Sequence, residues 1–187
     1  DLYHHTIQII LRATALGGYR ALAARDLFDI EYWDLEQAKL CGGRAPPLFT
    51  GEVALVTGAA LGIGRACVES LLERGAAVIG LDLNPDVEFL HLRPDFLGLT
   101  CDVTDGPGIQ EALSRGVRRF GGLDMLILNA GIFPESRRIA NLPDEEWRRV
   151  MDVNLDSNLT LMRECHPLLK LAPKGGRVVV IGPWRPD

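Results

Sequence analysis

No run in this sequence stays apolar for the roughly 18 residues that a bilayer-spanning helix needs, so no transmembrane segment is expected. A basic excess is missing too. Lys and Arg number 20 against 25 Asp and Glu, and the formal net charge of −5 speaks against a nucleic-acid-binding surface. Arg115, Arg118 and Arg119 form a local basic cluster and read as a solvated helix face. Residues 1–18 lack a basic leader and a long apolar segment, so a secretory signal is not expected. The chain does not begin with Met, which suggests a fragment or a start further upstream. The four cysteines, Cys41, Cys67, Cys101 and Cys165, show no C-x-x-C spacing, and three lie in apolar patterns. That points to buried thiols in a reducing compartment, with a cytoplasmic location expected. The 187 residues suffice for one ordinary domain with a real core, and 47% hydrophobic with 24% charged residues is a soluble globular composition.

The most informative stretch is Val53 to Gly64, V-A-L-V-T-G-A-A-L-G-I-G. A β-branched apolar run ends at Thr57-Gly58, two more glycines follow at 62 and 64, and a helical pattern opens. A buried strand, a glycine turn and a helix start together make a cradle for a dinucleotide pyrophosphate. Gly58 allows the tight turn, Gly62 lets main-chain N–H groups approach phosphate oxygens, and Gly64 lets the helix sit close on the sheet. The spacing is G-x-x-x-G-x-G rather than G-x-G-x-x-G, and a turn that merely needs positive φ is the plainer alternative.

The rest of the chain alternates strand and helix. Residues 2–16 read as a helix ended by Gly17-Gly18, with the adjacent His4 and His5 too divergent on a helix for a metal pair. Residues 19–33 are irregular and carry Tyr19, Phe28, Tyr32 and Trp33; Asp34 then reads as the N-cap of a short helix over 35–40. Gly42-Gly43 and Pro46-Pro47 mark a linker over 41–50. Strands follow at 53–57, 77–82, 97–101, 124–129 and 177–181, and helices at 62–74, 107–120 and from about 143 to 166, with a short one around 85–91. The first of these helices has apolar positions Ile63, Ala66, Cys67, Ser70 and Leu71. Strands apolar on both faces imply a parallel sheet covered by helices on both sides. The expected fold is therefore α/β, a Rossmann-like doubly wound sheet of order 3-2-1-4-5, over 51–187, with a helical extension over 1–50.

Three strand ends carry candidate chemistry. Asp82 ends the second strand 18 residues after Gly64, where a carboxylate can accept from both ribose hydroxyls and repel a 2′-phosphate. This favours NAD over NADP, unless an acid ends that strand by chance. Asp102 ends the third strand and could meet the adenine, while Asn129-Ala130-Gly131 ends the fourth, where Gly131 permits a close main-chain approach and Asn129 could tie strand ends together. In the long helix Trp147, Val150, Met151, Asn154, Asn158, Leu161, Met162 and Cys165 share one face, with Asp144, Glu145 and Glu146 in the first turn. Asn154 sits inside that stripe, as a core amide capping main chain or as a scaffold or proton-relay residue beneath a cofactor.

T57-G-A-A-L-G-I-G64, D102-V103, N129-A-G131 and M151-D-V-N-L155, in this order and at these separations, resemble the short-chain dehydrogenase/reductase family. The resemblance spans residues 51–183 and implies a Rossmann fold with hydride transfer between NAD(P) and an alcohol or carbonyl. By motif matching it implies cofactor contacts from Thr57, Gly58, Leu61, Gly62, Ile63, Gly64, Asp82, Leu83, Asp102, Val103, Asn129, Ala130 and Gly131. Asn154 matches the Asn of the family's catalytic tetrad. The family's catalytic Ser position is occupied by Pro183, in Ile181-Gly182-Pro183, and no Tyr-x-x-x-Lys is found in these 187 residues. The chain alone is therefore expected to bind cofactor, to lack a general acid/base, and to turn over nothing.

Residues 1–50 carry a second resemblance. D1-L-Y-H-H-T-I-Q-I-I, G17-G-Y-R-A-L and F28-D-I-E-Y-W-D-L-E-Q-A-K-L40 are similar to the junction of bifunctional proteins in which a class II aldolase precedes a short-chain dehydrogenase. This implies rhamnulose-phosphate aldolase joined to a lactaldehyde or alcohol dehydrogenase, truncated before the Tyr-x-x-x-Lys, with no metal ligands carried in this stretch. The partners expected are a small alcohol or carbonyl substrate and, as in the family, copies of the same chain in a dimer or tetramer. An inactive Rossmann module kept for assembly and a single-domain sugar or hydroxyacyl dehydrogenase are the alternatives.

Overall fold

The computed structural model describes residues 2–23, 26, 45–135 and 138–182. The expectations for Phe28, Tyr32, Trp33, the cap at Asp34, the helix over 35–40, Gly42-Gly43 and Pro183 lie outside the described residues. The chain divides into two compact units, Asp1–Pro46 and Pro47–Asp187. In the first, helix α1 (Leu2–Ala15) ends where Gly17 and Gly18 take φ of 125° and 123°. In the second, residues 47–51 are fastened to the strand-and-helix body: the Phe49 N–H donates to Arg74 O at 2.8 Å, and a Cβ on Gly75 would meet Pro47 Cβ at 2.9 Å.

Strands β1 (Val53–Thr57), β2 (Ala77–Asp82), β3 (Phe96–Thr100), β4 (Met125–Leu128) and β5 (Arg177–Val180) form one parallel sheet in the order β3-β2-β1-β4-β5. Its register pairs Leu55 with Ile79 and Leu126, so the same face of neighbouring strands is aligned. All five residues of β1 are buried, as a central strand covered on both faces requires. Two apolar layers result. One places Leu55, Ile79, Leu99 and Leu126 against Ile109 of α3 (Gly106–Phe120) and Leu161 and Cys165 of α5 (Ser157–Leu169). The other places Ala54, Val56, Val78 and Ile127 against Val68, Leu71 and Leu72 of α2 (Gly62–Glu73).

Several expected boundaries and faces are revised. β3 begins at Phe96, which pairs with Val78, although the Cys101 N–H still donates to Asp82 O. β4 stops at Leu128 because the Asn129 N–H turns to the Thr57 hydroxyl instead of the ladder. On α2 the buried face is Gly64, Val68, Leu71 and Leu72, whereas Ile63 is 62% exposed. The glycine at 64 is itself the contact point with the sheet, which rotates the helix away from the face that side-chain hydrophobicity alone suggested. The long helix is three segments: α4 (Asp144–Met151), a π-helical turn (Asp152–Asp156) and α5. A π turn holds an extra residue, so the segments on either side do not share one stripe. Leu161 and Cys165 are fully buried, while Trp147 is 52% and Met162 36% exposed.

Candidate functional site

The carboxyl ends of β1, β2, β3 and β4 converge, and the chain leaves each of them carrying a residue singled out above. Gly58 turns the chain out of β1 at φ 64° and Gly62 opens α2 at φ 56°, values that favour glycine. A Cβ at Gly64 would lie 1.9 Å from Gly58 O, so the helix can approach the strand only through a bare main chain. No side chain caps α2 at its N-cap, Leu61. Its first N–H groups therefore keep their donors for an anion, and the helix dipole adds partial positive charge there. A Cβ at Gly62 would meet nothing within 4 Å, leaving clear space in front of the turn.

The two strands flanking β1 hold the turn from either side. On one flank the Ala59 N–H donates to Leu81 O at 3.1 Å, and the Ala60 N–H donates to Asp82 Oδ2 at 2.8 Å. The other Asp82 oxygen accepts the Asn84 N–H at 2.9 Å. On the other flank Asn129 Nδ2 donates to Thr57 O at 3.0 Å and to Gly58 O at 3.2 Å. The buried Thr57 hydroxyl accepts the N–H groups of Asn129 and Ala130, at 2.9 and 3.0 Å. Asn129 thus ties strand ends together, as expected. Asp102 accepts from the N–H and hydroxyl of Thr104, at 2.8 and 2.7 Å, in a turn that leaves it exposed.

These ends open into one cleft of about 560 Å³. Of the residues expected at a cofactor site, Gly58, Asp82, Leu83, Asp102, Val103, Ala130 and Gly131 line it. Thr57 and Gly64 are buried behind the wall, Leu61, Gly62 and Ile63 stand exposed at the tip of α2, and Asn129 supports the turn from below. Cys101, Thr104, Ile132, Glu145, Arg148, Arg149, Asp152 and Val153 also line the cleft and were not expected at a cofactor site, although Glu145 was noted in a first helical turn and Asp152 and Val153 lie in M151-D-V-N-L155. Glu145, Arg148 and Arg149 come from a different helix, so no local motif marks them; alternation of buried and exposed positions at the end of β3 could have marked Cys101. Burial pushes the Cys101 thiol upward, with the charges of Asp105 and Asp102 adding to it, so this sulfur is a poor nucleophile.

Asn154 does not line the cleft. It sits in the π-helical turn, and both ends of its amide bind Ile132 in the loop after β4: Oδ1 accepts the N–H at 2.8 Å and Nδ2 donates to the carbonyl at 3.0 Å. These contacts cap main chain and hold the loop that lines the cleft. Gly131 is packed beside it, since a Cβ there would lie 3.3 Å from Asn154 Oδ1. Among the described residues no group of three or more His, Cys, Asp or Glu is placed to hold a metal ion.

A parallel sheet of this order, an uncapped helix tip at the first strand end and strand-end acids around one crevice define a Rossmann-type dinucleotide site. The chain belongs to the short chain dehydrogenase family, whose profile matches residues 52–183. Residues 1–40 match the second domain of class II aldolases. The oxidoreductase YuxG of Bacillus subtilis is 30% identical over 97% of this chain and 27% of its own length. The 3-oxoacyl-[acyl-carrier-protein] reductase FabG of Escherichia coli is 36% identical over 72% of this chain and 55% of its own length. Among solved structures, the 3-ketoacyl-(acyl-carrier-protein) reductase of Brucella melitensis complexed with NADH is similar, with 26% identity and a TM-score of 0.63 over 65% of this chain and 52% of that one. The chain thus spans about half the length of the reductases it matches and about a quarter of YuxG.

Proposed function

We propose that this chain is the cofactor-binding part of an NAD-preferring short-chain dehydrogenase acting on a small, sugar-derived alcohol or aldehyde. Its first 40 residues then belong to a class II aldolase unit of the same polypeptide, as in bifunctional enzymes of rhamnose breakdown. The observation that carries the dehydrogenase reading is the single cleft joining Gly58, Asp82, Asp102 and Gly131 beside the uncapped tip of α2. The match at residues 1–40 supports the aldolase connection.

Bound in this cleft, a nicotinamide cofactor would supply the hydride acceptor or donor. The N–H groups of Gly62, Ile63 and Gly64 would hold its pyrophosphate, and Asp82 its adenosine ribose. The negative charge of Asp82 disfavours a 2′-phosphate and so favours NAD. Asn154 fixes the loop at Ile132 from beneath. Within these 187 residues the Ser position of the resemblance is occupied by Pro183 and no Tyr-x-x-x-Lys occurs, so they would supply the cofactor site and not the general acid/base.

Titration of the chain with NAD and NADP, with Asp82→Ala as control, tests this reading. Saturable NAD binding that is tighter than NADP binding and weakened by the control is expected. A folded chain that binds neither cofactor overturns it.

A second reading, self-association, is favoured by exposed apolar side chains. Trp147, Leu155 and Leu159 are 47–54% exposed along α4, the π turn and α5. Sedimentation velocity should show a dimer or tetramer that Trp147→Glu weakens; a clean monomer removes this reading.

A further inference from the structure

Asp82 is half-buried at the end of β2, and neither of its oxygens is free of the protein. Oδ2 accepts the Ala60 N–H at 2.8 Å, and Oδ1 accepts the Asn84 N–H at 2.9 Å. Ala60 is 4% exposed, so water cannot readily replace the lost acceptor. Ala59, fully buried, is already committed to Leu81 O. The glycine turn therefore hangs between two side chains on opposite flanks: Asp82 grips it through Ala60, and Asn129 grips it through Gly58 O. A carboxylate offers about four acceptor sites, so about one remains on each oxygen for an outside donor. That is enough for the two hydroxyls of a ribose without releasing the turn.

We propose that Asp82 is a positioning residue for the phosphate cradle as well as a partner for the ribose, so that cofactor choice and cradle geometry cannot be changed separately at this residue. The proposal rests on the cofactor reading above. If Asp82 acted only through its charge on the ribose side, neutralising it would relieve repulsion of a 2′-phosphate and improve NADP binding. Holding the turn sets a cost against that gain. An Asn side chain keeps one acceptor and replaces the other with an NH₂ donor, so it cannot serve both the Ala60 and Asn84 N–H groups. One of them loses its partner, and the turn that aims the helix tip loosens for either cofactor.

The test compares wild type, Asp82→Asn, Asp82→Ala and the control Asp102→Asn, all in the full chain. Amide hydrogen exchange at Ala60 and Asn84 is read without cofactor, and NAD and NADP binding by calorimetry. Exchange at both N–H groups in Asp82→Ala, and at one of the two in Asp82→Asn, should quicken by about tenfold, the size expected for losing one charge-assisted hydrogen bond. It should stay unchanged in Asp102→Asn, whose carboxylate, among the described residues, bonds Thr104. NAD should bind the Asp82 variants more weakly than wild type. Unchanged exchange at Ala60 in Asp82→Ala, or at both Ala60 and Asn84 in Asp82→Asn, overturns the proposal. If wild type binds neither cofactor, the cofactor reading falls by itself, and Ala60 exchange still decides whether Asp82 holds the turn. The Ala variant keeps the comparison open should the Asn variant not fold, as checked by circular dichroism.

Discussion

Asn154 and Ile132 are joined by a reciprocal pair of hydrogen bonds, 2.8 and 3.0 Å long, between one side-chain amide and the main-chain N–H and carbonyl of one residue. The pairing mimics a rung of sheet at a place where no strand is available. It anchors the loop leaving β4, which lines the cleft through Ala130, Gly131 and Ile132, to the π-helical turn that carries Asn154. Asn154 thus shapes the cleft wall through Ile132 rather than by facing the cleft.

Asn154→Ala leaves the Ile132 N–H and carbonyl without these partners. It should cost about 1–3 kcal/mol of stability, the usual penalty for unpaired, partly buried polar groups. Asn154→Asp keeps the acceptor but loses the donor. Denaturant unfolding, together with hydrogen exchange at Ile132, checks both; an Asn154→Ala variant with unchanged stability and exchange would refute the role.

Gly64→Ala places a Cβ where Gly58 O already sits, at a distance of 1.9 Å. Backbone cannot yield as a flexible side chain can, so a loss of about 1–3 kcal/mol and of cofactor binding is expected. Gly106→Ala is the contrast: a Cβ there meets nothing within 4 Å, and its effect should fall within about 0.5 kcal/mol of neutral. Thermal unfolding of the two variants tests the difference.

Acid should unfold this domain partly through Glu52. Its carboxylate is 5% exposed and bonds Lys174, at 2.9 Å, and Arg177. The hydrogen bond from Lys174, followed by that from Arg177 and by both charges, holds its carboxyl below the ordinary 4.5 against the opposing effect of burial. A lowered folded-state pKa means that the stability is present above the unfolded value and is lost as pH falls through the folded one. Glu52→Gln should therefore lower stability near neutrality by about 1.5 kcal/mol and flatten the loss below about pH 4.5. Unfolding free energy against pH checks this; an unchanged acid limb contradicts it.

Cys165 is fully buried and its thiol is pushed up to about 12, chiefly by burial, with Glu164 adding to it. At pH 8 iodoacetamide should leave it unmodified in the native protein and label it in denaturant. Mass spectrometry of the peptide reads the outcome, and native labelling would contradict the packing of α5.

The sheet was legible because parallel strands buried on both faces are written as short apolar runs, and Val53–Thr57 and Ala77–Asp82 are unbroken ones. The strand-end residues were legible for a related reason: each polar residue that stops such a run falls at the carboxyl edge, as Asp82, Asp102 and Asn129 do. Four features were not fully legible. The π turn at Asp152–Asp156 leaves no compositional mark, so a 3.6-residue period carried Trp147 onto a buried face it does not occupy. The close approach of α2 at Gly64 was expected from the glycine turn, but counting apolar side chains put Ile63 on the buried face in place of Val68 and Leu72. The wall made by Glu145, Arg148 and Arg149 comes from a helix distant in sequence, and the bond from Ala60 to Asp82 joins residues 22 apart. Such relations depend on how β2 and α4 are placed in space, which no local pattern encodes.

The most direct measurement of the central claim is calorimetric titration of the folded 187-residue chain with NAD, beside its Gly64→Ala variant. The account predicts saturable, one-site binding by the wild type, tighter than for NADP and lost in the variant. Absence of NAD binding by the folded wild type, or equal binding by the two proteins, would contradict it.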